Sequence, residues 1–317
     1  MVFDGRGEYE LITREELTIR QNYDLDLKVR ISKRTIREWY EEYDGKVYVS
    51  FSGGKDSTVL LHLVRSQYPE VPAVFADTGL EYPEIRQFVK ETENVIWVKP
   101  KMRFDEVIKK YGYPVVSKVN ARFLRDLQNP TEKNKAVRNL RLTGLNREGL
   151  MLPSMKLPQK WLYLVNAPFK ISEQCCQIIK KNPTTLYAKE TQRKPITGLM
   201  ADDSIRRAQM YLRHGCNAFT FKNPVSNPLG FWRERDIWEY IKKENLTYSK
   251  IYNMGEKRTG CMFCMFGVHL EKEPNRFQRM KITHPKQWEY CIYTLNLQKP
   301  LDYMKIPYET KGGVYYE

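Results

Sequence analysis

The chain has 317 residues, of which 41% are hydrophobic and 13% aromatic, enough to bury a core and too apolar for a disordered polymer. Lys and Arg exceed Asp and Glu by 15; the summed field therefore favours polyanions such as nucleotides or nucleic acid, against the plainer reading of a generally basic surface. No apolar run reaches the roughly 18 residues of a membrane span, and the opening MVFDGRGEYELITREE is too polar for a signal peptide, so a cytoplasmic protein with no membrane partner is expected. Six cysteines are too few for a disulfide scaffold and are expected as thiols or metal ligands.

Residues 1–45 read as a helical lead-in, with Ile36, Trp39, Tyr40 and Tyr43 at helical spacing over Lys33 to Tyr43. The texture then changes. Lys46 to Phe51 (KVYVSF) is a short strand, SGGKDS a loop, and TVLLHLVRSQY an amphipathic helix, the order of a βαβ unit. PAVFAD (Pro72 to Asp77), EYPEIRQFVKETE and VIWV (Val95 to Val98) repeat it as strand, helix and strand. A doubly wound parallel α/β sheet is the expected fold class. From about 111 to 182 the pattern gives way to a basic helical insertion containing Lys118, Arg122, Arg125, Lys133, Lys135, Arg138, Arg141 and Arg147. Pro195 to Leu199 reads as a fourth strand, and DDSIRRAQMYLRHG as a helix capped by Asp202 or Asp203 and stopped at Gly215. Beyond Asn223 come a loop, the helix RERDIWEYIKKENL, and a cysteine-bearing segment. The domain reading is 1–45 lead-in, 46–265 nucleotide-binding domain with its insertion, and 266–317 C-terminal extension, the last 30 or so residues forming a surface tail.

Ser52, Gly53, Gly54, Lys55, Asp56 and Ser57 stand where a buried strand meets a helix N-terminus. That junction offers outward N–H groups and the positive end of the helix dipole. The glycines permit close backbone approach to phosphate oxygens, Lys55 adds a mobile cation, and the serines add hydroxyl donors. Asp56 would repel phosphate unless Mg²⁺ mediates, so it is assigned to metal or to orienting the loop. The spacing is not that of a Walker A loop. An ordinary glycine turn is the plain alternative for SGG alone, and SGGKDS in this setting weighs against it.

VSFSGGKDSTVLLHL followed by FADTGLEYPE resembles the PP-loop ATP pyrophosphatases, and within them the branch of sulfonucleotide reductases and the small subunit of ATP sulfurylase. The resemblance is close over Val47 to Glu84 and weaker on to Cys264. It implies an adenine nucleotide alpha hydrolase-like fold, a loop that grips the β and γ phosphates of ATP, and attack at the α phosphate with release of pyrophosphate. Lys55 and Asp56 are the catalytic candidates. Asp77, Thr78 and Gly79 match the family motif at the end of the second strand, where a doubly wound sheet places its ligand crevice. In ITGLMADDSIRRA, Gly198, Asp203, Ser204 and Arg207 match the branch, whereas Met200 stands where the family usually has Arg, which removes one anion contact.

Cys175 and Cys176 are adjacent, and Cys261 and Cys264 form a C-x-x-C about 85 residues on. Four soft ligands suit tetrahedral zinc or an iron–sulfur cluster. Neighbouring side chains reach two corners of a bulky cubane more easily than one small ion, which favours a [4Fe-4S] cluster over zinc or free thiols. The same spacing resembles the cluster ligands of assimilatory adenylylsulfate reductases. Cys216 and Cys291 read as ordinary thiols, Cys216 with a reserve role as sulfur carrier.

Sulfonucleotide reductases carry a Glu-Cys-Gly-Leu-His segment that has no counterpart after Cys291, and their loop usually departs from SGGKDS. The expected function is therefore an ATP pyrophosphatase that adenylylates an acceptor, nucleic acid being one candidate, so that sulfur can replace oxygen. A cysteine desulfurase or another sulfur donor is the implied partner. The alternatives are a sulfonucleotide reductase with a divergent thiol arrangement, a non-catalytic nucleic-acid-binding module, and other adenylyl transfers such as ATP sulfurylase or FAD synthesis.

Overall fold

The computed structural model describes residues 11–310, which divide into two compact units. The first comprises residues 11–77, 82–99 and 183–259, and the second residues 78–81, 100–182 and 260–310. The lead-in helices thus belong to the first unit, and the expected insertion belongs to the second together with the C-terminal residues. The opening and closing segments weighed above, residues 1–10 and 311–317, lie outside the described residues. No helix among the described residues is long and apolar enough to cross a membrane.

The first unit is a six-stranded sheet in the order β3-β2-β1-β4-β6-β5. Its strands are β1 (Val47–Ser50), β2 (Ala73–Ala76), β3 (Val95–Val98), β4 (Lys194–Ile196), β5 (Asn217–Ala218) and β6 (Val225–Ser226). Its helices are α1 (Arg14–Gln21), α2 (Leu25–Glu42), α3 (Lys55–Arg65), α4 (Pro83–Glu91), α5 (Asn182–Thr191), α6 (Ile205–His214) and α7 (Glu234–Lys243). All pairings are parallel except β5 with β6. Val47, Val49, Ala73 and Ile196 are fully buried, as strands covered on both faces require. From β1 the chain steps through α3 to β2 and through α4 to β3, then returns to pair β4 with the other side of β1. The strand order therefore reverses between β1 and β4, a topological switch point where such sheets bind ligands beyond their carboxyl ends.

Three expectations are corrected here. The fourth strand ends at Ile196 rather than Leu199. Helix α6 is capped by Ser204, whose extended backbone lets its hydroxyl accept from the Arg207 N–H at 3.3 Å, and not by Asp202 or Asp203, which lie in the 3₁₀ turn before it. The loop after Asn223 contributes β6, and β5 precedes it.

The second unit is helical among its described residues, with helices at Phe104–Tyr111, Lys118–Gln128 and Lys135–Thr143 and a π-helical turn at Gln177–Lys181. Helices at Arg276–Thr283, Pro285–Glu289 and Gln298–Tyr303 follow, with a second π-helical turn at Tyr290–Thr294 and several 3₁₀ turns between the helices. The last 30 residues are not a surface tail through Ile306. Trp288, Cys291, Ile292 and Leu295 recur at helical spacing and are buried, as are Leu297, Leu301 and Ile306.

Helix α2 is fastened to the far side of the sheet by polar groups. Ser32 Oγ donates to the Pro228 carbonyl at 2.8 Å and accepts from Trp232 Nε1 at 2.9 Å, and Asn217 Nδ2 donates to the Thr35 carbonyl at 3.0 Å. One turn earlier, Lys28 is fully buried, donates to the Gln21 carbonyl at 2.9 Å, and pairs with Asp236 at the start of α7. A buried charge deprived of its partner typically costs about 3 to 5 kcal/mol. Lys28→Met should therefore lower unfolding stability by about 3 kcal/mol in a urea titration. A loss under about 1 kcal/mol would mean that Arg235, 3.5 Å from Asp236, or water compensates the stranded carboxylate.

Candidate functional site

The loop Ser52 to Ser57 follows β1 at the switch point, and Lys55 opens α3. Gly53 has φ +70°, and a Cβ there would lie 2.7 Å from Val89 Cγ2 and 2.9 Å from Ile85 Cγ2, so α4 packs against the loop at a distance only glycine allows. Ser57 knits the loop to itself, donating from Oγ to the Gly54 carbonyl at 2.8 Å and accepting from the Ser52 N–H at 3.2 Å. Gly54, the N-cap of α3, carries no capping side chain and leaves the helix N–H groups to other acceptors.

Lys55 is buried, with its ammonium 3.5 Å from Asp56 Oδ1, 3.3 Å from Glu234 Oε1 and 3.4 Å from the Lys257 carbonyl. Burial alone would favour the neutral amine, but Asp56, Tyr252 and Glu234 raise its pKa above the usual lysine value. The Asp56 carboxyl is shifted upward as well, by burial first and then by Asp203 and Glu234, with Lys55 opposing. Its Oδ1 is buried and meets the Lys55 ammonium at 3.5 Å. A carboxylate whose surroundings disfavour its charge is a hard oxygen ligand of the kind Mg²⁺ takes when it arrives with substrate phosphates, rather than part of an all-protein metal cage.

The other expected residues fall into three groups. Gly198 lies directly under the loop, since a Cβ there would sit 3.2 Å from the Asp56 carbonyl. Asp203 faces Asp56 and is also paired with Arg207, and it has Arg258 at 3.9 Å, so Arg207 is tied to a carboxylate and Ser204 is spent as a cap. Asp77 ends the β2 segment buried and paired with Arg86 at 3.2 Å. Thr78 and Gly79 belong to the second unit, where Thr78 Oγ1 donates to Glu81 at 2.6 Å and Gly79 turns the chain at φ +73°. Glu234, Tyr252, Lys257 and Thr259 were not singled out by sequence. All four contribute atoms at the cradle, and for Lys257 and Thr259 the run EKRT, one residue before the C-x-x-C, was the available signal.

The cysteines converge in the second unit. Cys175 and Cys176 stand at the entrance to the π-helical turn, a backbone irregularity frequent at functional sites. The Cys175 thiol is raised by its hydrogen bond to Cys176, by burial, and by Cys176, Cys264 and Cys261, so the four sulfurs lie within electrostatic reach of one another. The Cys176 thiol is pulled down by the Cys175 hydrogen bond and by Lys118 and Lys180, against burial. Burial lifts Cys261 to about 11 against the pull of Lys180, and burial also raises Cys264. Lys180 is itself raised despite burial, chiefly by Cys261 and Glu81. Arg276 fixes the C-x-x-C backbone through the Cys264 carbonyl at 2.9 Å. Cations among clustered thiols lower the cost of holding several as thiolates, the form that binds soft metals. No three or more His, Cys, Asp or Glu side chains among the described residues are disposed to hold a single metal ion. Cys291 is buried among apolar groups, and Cys216 lies beside Tyr211 and Arg20, apart from this set.

The model of the phosphoadenosine phosphosulfate reductase domain matches residues 46–144 and 153–266. An uncharacterized protein of Methanocaldococcus jannaschii is 25% identical over 91% of this chain and 48% of its own length, so the chain spans about half of that relative. An adenosine 5'-phosphosulfate reductase of Lysinibacillus sphaericus is 21% identical over 77% of this chain and 83% of its own. Among solved structures, a phosphoadenylyl-sulfate reductase of Candida auris covers 79% of this chain and 96% of its own at 16% identity, with a TM-score of 0.43. The domain match spans both the phosphate-binding loop and the cysteine pairs, and the chain belongs to the phosphoadenosine phosphosulfate reductase domain family, a family of enzymes of nucleotide and sulfur chemistry.

Proposed function

We propose that the chain is an ATP pyrophosphatase that adenylylates an acceptor for sulfur transfer. The observation that carries this reading is the cradle, where a buried ammonium, a helix N-terminus and the Asp56 carboxylate meet at the switch point of the sheet. An acceptor oxygen attacks the α phosphorus of ATP, the bond from that phosphorus to the bridging oxygen breaks, and pyrophosphate leaves with the electron pair. Lys55 and the N–H groups at the start of α3 stabilise the charge that grows on pyrophosphate. Mg²⁺ held by Asp56 would neutralise the phosphate oxygens. A sulfur nucleophile then takes the activated carbon, and AMP departs with the former acceptor oxygen.

Cys175, Cys176, Cys261 and Cys264 are the ligands of a [4Fe-4S] cluster in this reading, a soft centre suited to holding a sulfur donor such as one loaded by a cysteine desulfurase. Lys180 and Lys118 offset the negative charge of the thiolates. The acceptor is taken to be nucleic acid because Lys118, Arg122, Lys133, Lys135 and Arg147 are exposed on the second unit. Arg141 does not serve that purpose, being buried over the Phe123 ring at 4.0 Å and paired with Asp126. Arg125 is paired with Glu173 at 2.8 Å.

Anaerobically prepared protein given ATP, Mg²⁺ and tRNA should form AMP and pyrophosphate, and Lys55→Ala and Asp56→Asn, compared as preparations that circular dichroism shows to be folded, should slow this by about 100- to 1,000-fold. Undiminished pyrophosphate release from both variants would refute the assignment of the loop. Salt-sensitive nucleic-acid binding with no ATP cleavage would favour a non-catalytic binding module, and reduction of adenylyl sulfate with thioredoxin would favour a reductase. Iron and acid-labile sulfide should each amount to about four per chain. That content should be lost on changing any one of the four clustered cysteines to Ser and kept in Cys216→Ser and Cys291→Ser. One zinc per chain would contradict the cluster and leave the ATP assignment standing.

A further inference from the structure

The segment Lys250–Thr259 lies across the phosphate cradle and occupies the groups that a phosphate would use. Tyr252 Oη accepts the Lys55 backbone N–H at 2.8 Å, which is one of the unpaired donors at the start of α3. The Lys55 ammonium reaches the Lys257 carbonyl at 3.4 Å and stands 5.5 Å over the Tyr252 ring. Thr259 Oγ1 lies 3.3 Å from Tyr252 Oη, and a Cβ on Gly54 would meet it at 2.6 Å. Three features of one short segment therefore converge on the two cradle residues Gly54 and Lys55.

The geometry points to a strap that nucleotide displaces: Tyr252 holds the Lys55 N–H as a neutral stand-in and gives it up to a phosphate oxygen. This rests on the reading of the loop as a phosphate site. A phenol oxygen is a neutral acceptor, whereas a phosphate oxygen makes a charge-assisted bond roughly twice as strong and also meets the helix dipole and the ammonium. The exchange is thus favourable for a polyphosphate and costs the hydrogen bond to Tyr252. The segment is anchored at Ile251 and Glu256, both buried, and is exposed at most of its other positions. Asn253, Met254, Gly255, Lys257 and Arg258 are exposed, and Gly255 turns at φ +89° with open space around it. Trp238 of α7 meets the Tyr252 ring edge-on at 5.5 Å, which places an optical reporter beside the hydroxyl that must leave.

The test is calorimetric titration of the full chain with inorganic pyrophosphate, which carries no adenine and reads the cradle alone. Tyr252→Phe removes the competing hydroxyl and keeps the ring, and it should bind pyrophosphate about 3- to 10-fold more tightly than the wild type, the worth of one neutral hydrogen bond. Thr259→Val, which strips Tyr252 of its hydroxyl neighbour, should shift affinity in the same direction by a smaller factor. In the wild type, pyrophosphate should change the tryptophan emission, and Trp238→Phe should abolish that change. Equal or weaker binding by Tyr252→Phe, with the wild type still binding, would overturn the strap and leave the phosphate cradle intact. Binding by neither protein would overturn both.

Discussion

Placing an ammonium at the positive end of a helix, out of water, is repulsive unless anions surround it. Lys55 is that group, and the neighbourhood of α3 is arranged to answer it. Asp56 and Glu234 hold the cation, Asp203 stands behind Asp56, and Tyr252 and the Lys257 carbonyl take what donors remain. The sheet puts this ammonium and its carboxylates at the point where strand order reverses, beyond the end of β1. Gly53 and Gly198 let α4 and the β4 segment close on the loop without a side chain between. The charges are thus in place before a polyphosphate arrives, and the neutral acceptors on the Lys55 donors are what give way to it.

The second unit sets the opposite problem, several thiols in a buried space, and solves it with the opposite charge. Lys180 sits one helical repeat beyond Cys176 and is drawn to Cys261 and Glu81, while Lys118 approaches Cys176. Anions hold a cation in the first unit, and cations face clustered thiols in the second. Both are places where a protein spends desolvation energy for chemistry, since either set would be cheaper to replace with apolar side chains.

The run from Val47 to Leu61 was readable because its periodicity switches from two to 3.6 across a glycine-rich break within a few residues, a local signal that tertiary context does not alter. The two cysteine pairs stood out for the same reason, since their spacing is local even though the approach of one pair to the other is not. Tyr252 did not, because its partner Lys55 is 197 residues away and nothing in a tyrosine marks it as an acceptor for one particular N–H. Glu234 was lost among the charges of RERD, and β5 and β6 are two residues each, too short to show a period. Ser204 and its two acidic neighbours are all good caps, and only the extended backbone at Ser204 decides among them. The C-terminal helices did carry an apolar repeat at Trp288, Cys291, Ile292 and Leu295. The polar residues between them hid it. Arg141 shows the limit of reading charge from composition, since a cation in a basic run turned out to be a buried packing residue.

The central claim is that the cradle breaks ATP between the α and β phosphates by way of an adenylylated acceptor. Positional isotope exchange tests it without requiring sulfur transfer to be complete. ATP carrying heavy oxygen in the α–β bridge is incubated anaerobically with the protein, Mg²⁺ and tRNA, and recovered ATP is read by phosphorus NMR. Reversible adenylylation frees pyrophosphate to rotate, so the label should scramble to non-bridging β positions, and Lys55→Ala should suppress it. ADP and inorganic phosphate as products, with the label unmoved in the remaining ATP, would contradict the account.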